Sequence, residues 1–299
     1  MNFVQNIFNK NSCIVLFLIA MATLNSPVAR GQSERGFHVG FSLGALFANN
    51  ATASLYDGYG FDRDGRRNDF SHSFMYEKIV NQYGGGYNQP DQIAVALNVN
   101  PGEWKFDESD MPLNMNYNVA FQVGFQSRYN LNKKEALLLN LVASKLSITG
   151  NFTITTTNSQ QFGALSGNIR TFPINGGEQR LVIQTGYQRI LGDDPTFNLF
   201  IEAGPSLTLV KFDKNQVKIN NLLIDLTSGY SQPNLTQSGA RVLTGVGLGA
   251  FAGIGINVNT NSKWTLQVLY SPSYELINIG EGPAYNLQNA AGLRAYYNM

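Results

Sequence analysis

MNYNVAFQVGFQSRYNL, residues 115–131, alternates without a break. Tyr117, Val119, Phe121, Val123 and Phe125 are large and apolar, whereas Asn116, Asn118, Ala120, Gln122, Gly124, Gln126 and Arg128 are polar or tiny. Side chains of a strand point alternately to opposite faces, so this segment has one oily face and one wet face. It is longer than an average soluble strand and suits a tilted strand crossing a bilayer. Tyr117 and Tyr129 close the ends of the oily face, where amphipathic rings favour a membrane–water interface.

The pattern recurs. Residues 37–48 set Phe37, Val39, Phe41, Leu43, Ala45 and Phe47 against His38, Gly40, Ser42 and Gly44. Residues 135–157 carry Leu137, Leu139, Leu141 and Ala143 on one phase and Leu146, Ile148, Phe152 and Ile154 on the other, which predicts a bulge near Ser144–Lys145. Residues 180–190, 197–210, 241–258, 264–275 and 287–299 complete a set of eight segments. The connections alternate long, short, long, and the even strand number with this asymmetry is that of bacterial outer-membrane barrels. The predicted fold is all-β: an eight-stranded antiparallel up-and-down transmembrane β-barrel with a long, partly structured first extracellular loop.

With both termini periplasmic, Phe37, Tyr129, Tyr187, Phe197, Trp264 and Tyr297 fall at the periplasmic rim, and Phe47, Tyr117 and Tyr274 at the outer rim. Two aromatic girdles follow from that topological choice. A soluble lipocalin-type barrel also has eight strands, but its apolar face would point inward and its other face would carry charges. Here the polar face is Gly, Ser, Asn, Gln and Thr with few charges, as expected of a packed narrow lumen.

Composition agrees. Of 299 residues only 14% are charged and the net charge is +1, which excludes a nucleic-acid footprint. No apolar run approaches the roughly 18 residues of a membrane helix. Lys10, the apolar run 13–24 and Ala29-Arg30-Gly31 read as a signal peptide cut after Gly31, leaving 32–299 as the barrel with the 49–114 loop as an insertion. The lone Cys13 lies within the removed segment, so the mature chain has neither a disulfide nor a cysteine-based zinc site.

Eight strands leave an interior just wide enough for side chains to fill. The inward set contains His38, Arg128, Glu202, Glu275 and Arg294, a polar network in which an Arg128–Glu202–Arg294 cluster plugs the lumen. A structural network that replaces a hydrophobic core is the favoured reading over a gated ion or proton path. Gly245, Gly247, Gly249, Gly253 and Gly255 give space to Phe200, Phe251 and Tyr296. They recur at every second residue of a strand and so are not a phosphate loop.

The 49–114 loop is far longer than an ordinary connection. Tyr56, Tyr59, Phe61, Phe70, Phe74, Tyr76, Tyr83, Tyr87, Trp104 and Phe106 supply it with a small core. Residues 69–83 predict a short helix with Asp69 as N-cap and Gly84 past its end. Residues 92–99 alternate and turn through Asn100-Pro101-Gly102 into 103–107, reading as a hairpin. In a ten-stranded barrel this hairpin would lie in the membrane, but residues 103–110, EWKFDESD, are too charged to face lipid. Asp62/Asp64 and Asp107/Glu108/Asp110 lack the spacing of a known calcium loop. His72 sits beside Ser71 and Ser73 with no convergent carboxylate evident. No metal or cofactor is expected.

The eight segments, the export signal and the periplasmic ends resemble the small OmpA/OmpX-type barrels. The Gly-rich alternation, the ARGQ processing region and the Asn- and Tyr-rich loops resemble more particularly the PorT-like barrels of Bacteroidota. That resemblance implies a role in secretion or gliding machinery and maps no catalytic residue onto this chain. The expected function is non-enzymatic: a barrel in the outer membrane, in contact with lipid and lipopolysaccharide, presenting its first loop to a protein partner. The alternatives are a narrow pore and a lipid A-modifying enzyme.

Overall fold

The computed structural model describes residues 36–61, 66–86, 89–157, 168–194, 196–226, 244–259, 263–278 and 285–299. The predicted signal peptide with Cys13, together with Asp62, Asp64 and Tyr87, lies outside them. Alternation organises eight long strands: β1 (Gly36–Phe47), β2 (Ala120–Asn130), β3 (Glu135–Thr156), β4 (Asn168–Leu191), β5 (Phe197–Ile219), β6 (Thr244–Asn259), β7 (Trp264–Asn278) and β8 (Tyr285–Asn298). Each pairs antiparallel with its neighbour in sequence, and β8 returns to β1 through pairs such as Phe41↔Ala295. The ring is closed, so no barrel strand has a free edge across the lipid. Phe41, Leu43, Phe121, Leu139, Leu199 and Val268 are among the exposed apolar side chains of its outer wall. No helix among the described residues is long and apolar enough to cross a membrane.

The predicted bulge at Ser144–Lys145 does not form. Pairing of β3 with β4 runs unshifted from Glu135↔Arg189 to Thr156↔Asn168. Even-numbered side chains of β3 face inward throughout, from Leu138 and Asn140 to Leu146, Ile148, Phe152 and Ile154. What changes along the strand is the surrounding solvent. As far as Ala143 the outer face is continuously apolar and the inner face mixes Asn140 with Ala136, Leu138 and Val142; beyond it the outer face carries Lys145, Ser147 and Asn151, and the large apolar side chains lie inside. For the same reason β4 and β5 are longer than the segments at 180–190 and 197–210. Their extensions are amphipathic in the opposite sense and read as polar connections. The register shift falls instead on β5, where Gly177 pairs with Lys214 and Glu178 with Phe212, leaving Asp213 as the extra residue.

The extensions of β3, β4 and β5 continue the wall past the lipid band, and Leu222–Asp225 folds back on β5 after Asn220, whose φ is 50°. The 49–114 loop packs on their apolar inner face. Tyr56, Met75, Ile79, Ile93, Leu97, Phe106 and Met111 form one core with Ile148, Phe152, Ile154, Phe172, Ile174, Val217 and Ile219. Trp104–Lys105 and Asn116–Tyr117 pair with β3 and cover its extended edge. We call this unit the cap.

Within the cap the predicted 69–83 helix is split. Asp69 caps only the 3-10 turn Phe70–His72, because Ser73 is extended (ψ 148°) and caps a second start, Phe74–Tyr76, that continues as the π-helical Glu77–Gln82. The predicted hairpin is also corrected. Gln92–Leu97 is an α-helix capped by Asp91 and ended by left-handed Asn98 (φ 55°). Ile93, Ala94 and Leu97 are buried on it while Val95 is 78% exposed, a helical period that the short apolar run left indistinguishable from a strand. Since residues 92–107 lie in the cap, the barrel has eight strands rather than ten.

Candidate functional site

At the heart of the lumen stands a buried ion pair. Arg294 Nη1 and Nη2 donate to Glu202 Oε2 and Oε1 at 2.7 and 2.8 Å, a bidentate clamp between β8 and β5. Gln188 Nε2 donates to Glu202 Oε2 at 3.2 Å. Glu202 fits because Gly253 faces it on β6, where an added Cβ would stand 2.7 Å from Glu202 Cγ.

The predicted three-residue plug is corrected at Arg128. Both oxygens of Glu202 are taken by Arg294, and Arg128 instead lays its guanidinium 4.7 Å over the Tyr296 ring. Tyr296 in turn donates to Gln126 Oε1 at 2.9 Å. His38 lies nearer the short-turn mouth: Asn130 Nδ2 donates to its Nε2 at 2.9 Å, so its Nδ1 carries the proton and donates to Asn298 Oδ1 at 2.7 Å. Glu275 also stands apart, accepting from Ser206 Oγ at 3.3 Å and Thr208 Oγ1 at 2.8 Å.

A second ion pair closes the other end. Arg180 Nε donates to Glu178 Oε1 at 2.6 Å, with both side chains buried. Two cap-side hydroxyls, of Tyr56 and Tyr117, donate to Glu178 Oε2 at 2.8 and 3.1 Å. Burial first, and then the Glu178 carboxylate, pushes the Tyr56 hydroxyl above the ordinary tyrosine range, which keeps it a donor. Its ring stacks on Phe212 at 4.9 Å, and Gly176 supplies the space, since a Cβ there would collide with Tyr56 Cδ1.

Tyr117 is predicted at the outer rim facing lipid; it faces inward. Tyr117 pairs with Ile148 but Gln122 pairs with Ser144, so one extra residue separates them and flips the side-chain phase. Glu178 and Arg180 do not stand out in the sequence because Glu178 falls in a connection and Arg180 at a segment boundary. Their i, i+2 spacing, which sends both to one face of a strand, is the signal that identifies them.

Between the two ion pairs is a cavity of about 80 Å³, lined by residues including Arg180, Arg294, Gln126, Gln184, Glu275 and Gln288. The remaining predicted residues sit on the wall. Phe37, Tyr129, Tyr187, Phe197 and Trp264 are exposed on the outer face near the short turns, and Tyr297 packs edge-on against Trp264 at 5.2 Å. Phe47 and Tyr274 are exposed near the long loops, where Tyr274 stacks on Tyr285 at 5.1 Å.

The loop candidates have local roles. Asp69 Oδ1 and Ser71 Oγ both contact His72 Nδ1, at 2.8 and 3.2 Å, and a relay needs the two ring nitrogens to face different partners. Asp110 accepts from the Asp107 amide at 2.8 Å and from the Thr153 hydroxyl, pinning the loop to β3. Among the described residues no group of three or more His, Cys, Asp or Glu side chains is placed to hold a metal ion.

No protein-family model matches the chain, and no curated protein matches it. Solved structures similar to it include neisserial surface protein A (8% identity, TM-score 0.38, covering 90% of this chain and 100% of that one). Another is Ail, the attachment invasion locus protein of Yersinia pestis (10%, TM-score 0.31, 89% and 97%). A third is the outer membrane protease OmpT of Escherichia coli (9%, TM-score 0.33, 91% and 97%).

Proposed function

We propose that this protein is a non-enzymatic scaffold of the bacterial outer membrane. In this reading both termini lie in the periplasm, the aromatic rims contact lipid and lipopolysaccharide, and the cap is held outside the cell for a protein partner in a secretion or surface assembly. The observation that carries it is the core shared by the cap and the β3–β5 extensions, in which Ile79, Ile93 and Leu97 pack with Phe152, Ile174 and Val217. A connection that only closed the barrel would need no such core, whereas a presented surface gains from being fixed in one orientation. The clamp at Glu202–Arg294 and the ion pair at Glu178–Arg180 obstruct the lumen at two levels and weigh against a pore.

The test places a photocrosslinking residue at Val95 or Leu223, both exposed on the cap, in intact cells. A discrete protein adduct from these positions, absent when the residue is placed at lipid-facing Leu139, is expected. Absence of any adduct from the cap rejects the reading. Conductance in planar bilayers would favour a narrow pore, and altered lipid A in a deletion strain would favour an enzyme.

A further inference from the structure

The rim near the long loops differs from one side of the barrel to the other. On β7, β8 and β1 it carries the exposed rings of Tyr274, Tyr285 and Phe47. On β3, β4 and β5 the last apolar row, Ala143↔Leu181↔Leu209, is followed two residues on by Lys145↔Gln179↔Lys211. The extra residue Asp213 then re-phases β5, so that Lys214 also faces outward instead of entering the cap core. Its stem lies across Gly177 of β4, where an added Cβ would stand 3.2 Å from Lys214 Cγ. Lys145 reaches across β4 from the other side, its Nζ 3.1 Å from Asp213 Oδ2. Neighbouring strands lie about 4.8 Å apart, so the three lysines share roughly 10 Å of wall. Asp213 is the one carboxylate that the described residues of β3, β4 and β5 place on this face beyond the apolar row. Farther along come Ser147, Asn151, Thr171 and Gln216, all hydrogen-bonding and none acidic.

We infer that this face is a docking surface for a phosphorylated glycolipid of the outer leaflet, with Lys145, Lys211 and Lys214 gathered on its phosphate. The inference rests on the reading above that the cap lies outside the cell. The three layers of such a lipid match three successive rows of the wall. Acyl chains run along Leu181 and Leu209, the phosphate meets the lysines where the apolar rows end, and the sugars meet the hydroxyl and amide side chains beyond. Lysine is a point charge on a flexible stem, so residues on β3 and β5 can close on one phosphate between them. Basic clusters at the edge of the hydrocarbon are the usual protein counterpart of anionic headgroups. An acidic protein would also be drawn to the lysines, but it has no chains to lay against the apolar rows below them.

The experiment takes the full chain folded in zwitterionic detergent and counts bound lipid by native mass spectrometry. The probes are bis-phosphorylated lipid A, its phosphate-free form and phosphatidylglycerol. Each lysine beside an anionic headgroup is worth roughly fivefold in affinity, so Lys145→Gln/Lys211→Gln/Lys214→Gln should weaken bis-phosphorylated lipid A about a hundredfold. The corresponding triple arginine variant should keep the binding, and added salt should weaken it in the wild type. Phosphate-free lipid A should bind the wild type as poorly as the phosphorylated form binds the glutamine variant. All three substitutions lie on the outer face, and mobility on unheated gels checks that the variants are folded. A wild type that does not retain lipid A overturns the inference, as does a glutamine variant that binds like the wild type. Equal binding of the phosphate-free form or of phosphatidylglycerol overturns it too, by removing the phosphate or the sugar from recognition. None of these results involves a protein partner, so crosslinking from Val95 still judges the scaffold reading separately.

Discussion

Neutralising Glu202 should harm the barrel more than neutralising Arg294, although the two form a single ion pair. Both side chains are buried and joined by bonds of 2.7 and 2.8 Å. Removing one partner of such a pair costs about 3–5 kcal/mol, because the other charge stays buried alone. Glu202→Gln leaves Arg294 without a carboxylate beside Arg128, whose Nε and Nη1 have no hydrogen-bond partner among the described residues. Two unpaired guanidinium groups then share one low-dielectric space, which places this variant at about 5 kcal/mol. Arg294→Met leaves Glu202 with the Gln188 amide at 3.2 Å and removes the cation that competes with Arg128 for it, which places that variant near 3 kcal/mol. The gap of about 2 kcal/mol is roughly a 30-fold difference in folding equilibrium. The double variant Glu202→Leu/Arg294→Met should recover to within about 1–2 kcal/mol of the parent, since a well-packed apolar pair replaces an ion pair at little cost. Urea unfolding in micelles would follow Trp264 at the lipid-facing rim in a Trp104→Phe background, with folded fraction checked by mobility on unheated gels. Equal losses in the two single variants, or a double variant as damaged as their sum, would refute the reasoning.

Three other outcomes test the cap and the membrane boundary. Phe152→Ala removes a 1% exposed ring that packs on Phe106 and Phe172 at 6.2 and 5.8 Å, and should cost about 3–5 kcal/mol. The loss should appear as faster limited proteolysis within residues 49–114 while the barrel stays gel-resistant. Leu139→Arg, on the lipid face, should destabilise by about 2–4 kcal/mol at mid-membrane depth, whereas Ser147→Arg, farther along the same outward face, should change urea stability by no more than about 0.5 kcal/mol. Burial raises the Asp57 carboxyl against the Tyr59 amide and the Arg67 guanidinium. Docking the cap therefore takes up a proton, so stability from this group is greatest below the ordinary carboxylate pKa and falls as pH rises toward the raised value. Proteolytic protection of the cap should accordingly decline between those two values more steeply in the parent than in Asp57→Asn.

Alternation alone was enough to read the membrane barrel. Lipid on one side and a packed lumen on the other impose a two-residue period, and Phe37 to Phe47 or Leu199 to Leu207 display it without reference to any partner strand. The composition of the lumen was equally legible, down to His38, Glu202, Glu275 and Arg294 on the inner face. Partnership inside it was not. Which carboxylate takes which guanidinium depends on the depth each strand gives its side chain, and Arg128 lost Glu202 to Arg294 through that geometry. The point at which β3 leaves the lipid was visible as a change of apolar phase, from the odd positions that end at Ala143 to the even positions that begin with Leu146. A bulge and a change of solvent give the same pattern along one strand, and register between strands distinguishes them. Solvent contrast acts residue by residue, so the linear pattern suffices to show that this chain lines a membrane with a closed wall. The rise of that wall past the membrane to seat the 49–114 cap, and the inward turn of Tyr117 to Glu178, are legible only in the folded molecule, because both depend on pairing between residues distant in the chain.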